Sequence, residues 1–250
     1  MKKNERGRRI GLARALSKLG YCSRARASEL IRAGRVRLNG KVLRDPEAPV
    51  SESDDGIAVD DDRIKPPEKL YLMINKPRGV ITTASDEKGR ETVYALLPEP
   101  LPWVGPVGRL DKASEGLLLL TNDTEWAARI SDPDSHLEKT YHVQVRATGN
   151  ELPIESLLKG VLLRGELLRA KAARVLREGD KNSWIEIVLD EGKNRQIRRM
   201  FEHFGIQVAR LIRIGIGPLR LGRLAKGESR SLTGDEKLAM DHAMMDFHKR

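Results

Sequence analysis

Four consecutive leucines, 117–120, follow the stretch Gly108-Arg109-Leu110-Asp111-Lys112-Ala113-Ser114-Glu115-Gly116. A strand points its side chains to alternate faces, so a run with no polar position has to be covered on both. Such a run predicts a sheet strand packed from above and below. Just ahead of it, Asp111 stands beside an arginine in a loop of small residues, a short carboxylate attached to the stiffest part of the chain. Covalent or general-base chemistry needs that fixity. An ordinary turn aspartate has the same local sequence, so the other segments have to decide.

At 250 residues the chain is long enough for two domains, or for one large domain with an appendage. Hydrophobic content of 39% supplies a core, and no run approaches the roughly 18 apolar residues of a membrane span. The first residues are basic but lack the apolar stretch of a secretory signal, so a cytoplasmic location and no membrane partner are expected. Cys22 is the only cysteine and is expected to be a small core residue. His136, His142, His203, His242 and His248 show no ligand spacing, so no metal and no redox chemistry is expected.

The net charge of +10 is unevenly spread. Residues 1–45 carry 14 Lys/Arg against Glu5, Glu29 and Asp45, and residues 193–226 carry nine against Glu202. Two basic blocks on an otherwise acidic body suggest two faces for a polyanion, and nucleic acid is favoured over ordinary solvated surface.

Residues 9–20 read as a helix with Ile10, Leu12, Ala13, Leu16 and Leu19 on one face, stopped by Gly20. Ser23 caps a second helix over 24–33, with Ala27, Leu30 and Ile31 inward and Gly34 at its end. Residues 36–43 alternate around Asn39-Gly40, the strongest two-residue hairpin signal. Arg24, Arg26, Arg32, Arg35, Arg37 and Lys41 project from this block. Residues 46–62 hold seven acids and no base, and Lys65-Pro66-Pro67-Glu68 reads as a linker, which sets domains of 1–64 and 65–250.

Beyond the linker, strands are expected at 70–75, 80–82, 117–121, 139–147, 184–189 and 208–214. A helix over 194–204, capped by Asn194, carries Ile197, Met200, Phe201 and Phe204 inward and ends at Gly205. A C-terminal helix is expected over 234–247, its methionines used for packing. The class is α+β, a mostly antiparallel sheet preceded by a helix-helix-hairpin module. Arg195 and Arg199 read as an exposed basic face.

The run Ile31-Arg-Ala-Gly-Arg-Val36 with Leu38-Asn-Gly-Lys-Val42 resembles the S-four-type RNA-binding module over residues 9–60. That resemblance implies a grip on structured RNA by shape and backbone. The later segments are Tyr71-Leu-Met-Ile-Asn-Lys-Pro-Arg-Gly79, Gly108 to Asp123, Lys139-Thr-Tyr141, Glu191-Gly-Lys-Asn-Arg-Gln-Ile-Arg-Arg-Met-Phe201 and Arg210-Leu-Ile-Arg-Ile-Gly-Ile-Gly-Pro218. In that order they resemble the RsuA-type ribosomal RNA pseudouridine synthases, which carry the same module. The resemblance implies isomerisation of a flipped-out uridine in ribosomal RNA without a cofactor. It puts Asp111 at the catalytic aspartate, Tyr141 against the uracil and Arg198 at the basic residue that pairs with that aspartate. Leu211, Arg109 and Lys76 fall at substrate positions. It also implies ribosomal RNA or a pre-ribosomal particle as partner, large-subunit RNA as target, and a monomer. Ser114 stands where threonine is commoner, Thr124 where glycine is, and Glu228-Ser229 replaces a frequent tryptophan.

Two other readings stand beside this one. A ribosome-assembly factor could keep the fold and bind RNA without catalysis, although such a binder has no use for a carboxylate facing a polyanion. A carboxylate-dependent hydrolase would need a second acid, and Glu115 is the nearest in sequence.

Overall fold

The computed structural model describes residues 9–51, 56–65, 67–84, 86 and 88–245. The chain divides into two compact units, Met1–Leu70 with Glu99–Gly105 and Thr121–Thr124, and Tyr71–Pro98 with Pro106–Leu120 and Glu125–Arg250.

In the first unit the chain starts differently from its sequence pattern. Arg9–Gly11 is a strand (β1), and the helix runs only over Leu12–Lys18 (α1). Ile10 lies opposite Val50 of an antiparallel partner and both are buried, so strand pairing satisfies the same apolar residue that a helix face would have used. Helix α2 (Arg24–Arg32) begins where expected, with Ser23 accepting from the Arg26 amide. The hairpin β2 (Val36–Leu38) and β3 (Lys41–Leu43) turns through Asn39 and Gly40, both at positive φ as the tight hairpin turn requires.

The acidic stretch then supplies three short strands that the sequence pattern did not reveal, β4 (Pro49–Ser51), β5 (Ile57–Val59) and β6 (Asp62–Arg63). β4 is the partner of β1, while the order β3-β2-β5-β6 forms a four-stranded sheet. Its core is Leu12, Leu16, Ala27, Leu30, Ile31, Val36, Val50, Ile57 and Val59.

The second sheet comprises β7 (Tyr71–Lys76), β8 (Gly105–Val107), β9 (Glu115–Thr121), β10 (Lys139–Val145), and β13 (Ala172–Glu178) to β17 (Ser229–Ser231). Between these lie α3 (Thr124–Ser131), α4 (Ile154–Lys159) and the hairpin β11 (Val161–Leu163) and β12 (Glu166–Leu168). β14 spans Ser183–Leu189, α5 Gln196–His203, β15 Val208–Ile216, β16 Leu219–Arg220, and α6 Gly234–Met245 follows β17. The strand order is β13-β14-β10-β15-β9-β7-β17, with β16 beside β15 and β8 beside β9. Neighbours from β13 to β15 are antiparallel, and β15 meets β9 in parallel.

All seven residues of β9 are buried. Leu117 and Leu119 pack with Trp126 and Ile130 of α3 and Met240 and Met244 of α6. Each fully buried leucine contributes on the order of 2 kcal/mol. Another cluster joins Val143, Ile185, Ile187 and Leu211 to Ile197, Met200 and Phe201 of α5.

Two expectations fail here. Residues 80–82 form no strand, only one bridge from Ile81 to Thr92. Asn194 does not cap α5; Arg195 does, in the left-handed region at φ 47, without a side-chain cap.

Candidate active site

Asp111 lies in the loop that enters β9, and the loop backbone is held at each step. Five successive carbonyls have donors. Leu110 O accepts from Thr82 Oγ1 at 2.9 Å, and Asp111 O from the Ser114 amide at 2.9 Å. Lys112 O accepts from the Gly79 amide at 2.8 Å. Ala113 O accepts from Arg198 Nη2 and Ser114 O from Lys76 Nζ, both at 2.9 Å. A loop with its carbonyls satisfied by residues 76–82, by Arg198 and by its own Ser114 amide has little freedom to move. The Asp111 carboxylate is nevertheless 37% exposed, so it is fixed and still reachable.

The cation at Asp111 is not the expected one. Arg195 Nη1 stands 3.9 Å from Asp111 Oδ2. Arg198, expected to pair with the carboxylate, is occupied by two carbonyls instead, Ala113 O and Val208 O (3.2 Å from Nη1). Its buried Nε has no hydrogen-bond partner among the described residues. Burial depresses the Arg198 pKa, Arg195 and Arg78 depress it further, and the Asp111 carboxylate opposes them. Arg198 therefore lies within the field of Asp111 while fastening α5 to its loop. Arg195 read as solvated because helix periodicity puts it on an outward face; its left-handed backbone leaves no trace in the periodicity.

Lys76, expected at the substrate, is fully buried and bonds Pro77 O and Ser114 O, both at 2.9 Å. It supports the loop and has no surface to offer a ligand. Burial pushes its pKa down to about 8, against the carboxylates of Glu115 and Asp111.

Glu115 is also buried, at 4% side-chain exposure, and bonds Arg210 through both oxygens at 3.1 Å and Lys226 at 2.7 Å. Burial raises its pKa, but the two cations outweigh that and leave it lowered. A carboxylate so neutralised makes a poor general acid, which removes the paired-acid hydrolase.

Tyr141, Leu211 and Asp111 are connected through the sheet register. Tyr141 of β10 lies opposite Arg213 of β15, Val143 lies opposite Leu211, and Arg213 lies opposite Gly116 of β9. Tyr141 packs half-buried against the cluster holding Leu211. The loop carrying Asp111 thus enters β9 one strand from Leu211 and two from Tyr141. Arg109 is exposed beside buried Leu110. Among the described residues no three His, Cys, Asp or Glu side chains gather as metal ligands would. Cys22 is half-buried, and burial pushes its thiol up.

In the first unit Arg24, Arg32 and Lys41 are exposed, and Arg26 pairs with Glu29 at 2.9 Å. Arg35 pairs with Asp60, and Arg37 with Asp61 at 2.7 Å, so two acids from the acidic stretch face two of the expected RNA contacts. No helix among the described residues is long and apolar enough to cross a membrane.

Comparison with known proteins adds to this geometry. A family model described as RNA pseudouridylate synthase matches residues 70–203, and one described as S4 domain matches residues 10–55. A protein of Bacillus subtilis named ribosomal large subunit pseudouridine synthase B is 37% identical over 227 residues, 90% of this chain and 93% of that one. An uncharacterized RNA pseudouridine synthase of Rickettsia bellii is 42% identical over 89% of this chain and 96% of its own. A solved pseudouridylate synthase superposes with a TM-score of 0.65 at 32% identity, covering 92% of this chain and 99% of its own.

Proposed function

The chain belongs to the RNA pseudouridylate synthase family, with an S4 domain ahead of the synthase match, and on that premise we propose that it isomerises uridine in large-subunit ribosomal RNA with Asp111 as the reacting group. The reaction breaks the bond from C1′ to N1, turns the base and joins C1′ to C5, while the C5 proton is lost and N1 gains one. Substrate and product have the same atoms and electrons, so the chemistry calls for no cofactor.

What supports Asp111 is the loop in which five carbonyls are held while the carboxylate stays open. An ionised oxygen at that point serves attack on the base or sugar, and equally removal of a sugar proton. The target must leave its helix to reach it, which costs a few kcal/mol. Stacking on Tyr141, about 1–3 kcal/mol, and contact with Leu211 offset part of that cost. Arg109, exposed beside the loop, takes the place vacated in the RNA stack. Arg195 stands nearest the carboxylate, and Arg198 positions the loop through Ala113.

Residues 1–64 serve as the RNA-binding module, gripping phosphates with Arg24, Arg32 and Lys41 and more weakly with Arg26, Arg35 and Arg37, which already face acids. Residues 65–250 carry the reaction. We place the protein in the cytoplasm as a monomer acting on ribosomal RNA or a pre-ribosomal particle.

Asp111→Asn keeps the size and removes the charge. Pseudouridine formation on a large-subunit RNA transcript should fall about a thousandfold or more while binding to it persists. Turnover retained in Asp111→Asn would overturn the assignment and favour a binding-only role.

A further inference from the structure

A cavity of about 330 Å³ lies entirely within the first unit, and no residue given a catalytic role lines it. Tyr21, Trp103, Leu19 and Pro102 contribute apolar lining, and Arg63 and Lys65 contribute two exposed cations. Both aromatic rings are placed by glycines. Gly20, at φ +67, lets the chain pass against Pro67, where a Cβ would come within 2.9 Å of its Cγ, and so sets the position of Tyr21. The Trp103 ring lies over Gly105, where a Cβ would come within 3.0 Å of it. Tyr21 is 40% exposed, and among the described residues neither ring stacks on another aromatic.

Two partly exposed aromatic rings without an aromatic partner, next to cations, suit a ligand that is flat at one end and anionic at the other. A purely apolar ligand would not match the charge of this lining, and duplex RNA offers its stacked bases to no such cavity. An unpaired nucleotide meets both demands. We propose that this cavity seats one unpaired nucleotide of the bound RNA, its base against Tyr21 and Trp103 and its phosphate on Arg63 and Lys65. This nucleotide is not the one presented to Asp111, since none of the residues around Asp111 lines the cavity. The inference rests on the RNA-modifying reading above and adds a second recognition point to it.

The test uses the full chain and a large-subunit ribosomal RNA transcript, measuring affinity and pseudouridine formation together. Tyr21→Ala and Trp103→Ala should each weaken binding about five- to a hundredfold, the loss expected for one stacked base. Tyr21→Phe and Trp103→Phe should restore most of it, and Lys65→Gln should lower the salt slope by about one. Ultraviolet irradiation of the wild-type complex should join RNA to a peptide containing residue 21 or 103. Alanine variants that bind like the wild type, or phenylalanine variants as weak as alanine, would overturn the cavity's role. If the wild type still forms pseudouridine in that case, only the cavity fails. A wild type that neither binds nor modifies the transcript would overturn both readings.

Discussion

Lys76 shows how a buried charge can hold an active loop at a measurable cost. Its ammonium lies out of water with two carbonyls as partners, and burial brings its pKa from 10.5 to about 8. The folded value lies below the unfolded one. Between about pH 8 and pH 10.5 the unfolded chain keeps a proton that the native state has released, so this group's contribution to stability rises with pH across that window. At about 1.4 kcal/mol per pKa unit, the rise amounts to roughly 3 kcal/mol. Lys76→Met removes the titration. Urea unfolding of both proteins at pH 8 and pH 10.5 should show the wild type gaining about that much on the variant. A constant difference between the two would mean that Lys76 titrates alike in both states. At neutral pH the same substitution leaves Ser114 O without its donor, and turnover should fall with it.

At the scale of elements, the site depends on β9 and β15 lying side by side in parallel just behind the loop. Gly116 makes that approach possible. It has φ +104, and a Cβ there would come within 2.2 Å of Arg213 O and 2.8 Å of Arg213 N. Backbone cannot yield as a flexible side chain does. Gly116→Ala should therefore cost about 3 kcal/mol or more, read as a lowered urea midpoint, and turnover should fall beyond the loss of folded protein. A variant as stable as the wild type would show that the strands tolerate separation.

Elements whose signals are local were legible in advance. Ser23 before α2, Asn39-Gly40 in the hairpin, the leucines of β9 and the alternation of β10 each encode their own structure. The residues of β1 fit a helix pattern equally well, because Ile10 is apolar in either state and its partner, Val50, lies 40 residues on. Strands β4 to β6 have two or three residues each, too few for a period to show. In the site, Asp111 and Tyr141 stood out through the family resemblance. The exchange of Arg195 for Arg198 at the carboxylate depends on one left-handed residue, and nothing in the spacing encodes it.

Across the whole molecule, the basic excess is not uniformly available to a polyanion. The chain carries +10, yet part of its first basic block is neutralised by its own acidic stretch. Asp60 and Asp61 meet Arg35 and Arg37, and the Arg35 guanidinium holds the Asp60 carboxyl below the usual carboxylate range. Among the described residues no carboxylate pairs with Arg24, Arg32 or Lys41. Phosphate binding releases counterions in proportion to the cations that engage, and an arginine already paired in the free protein releases fewer. The triple change Arg24→Gln, Arg32→Gln and Lys41→Gln should thus reduce the slope of log affinity against log salt by about two to three for structured RNA. Arg35→Gln with Arg37→Gln should reduce it by clearly less per cation removed. These exposed changes should move stability by only about 0.5 kcal/mol, so a lost slope would report contact and not unfolding. Equal losses per cation in the two sets would mean that the aspartates release their arginines when RNA arrives, and the acidic stretch would then act as a displaceable mimic of the phosphate backbone.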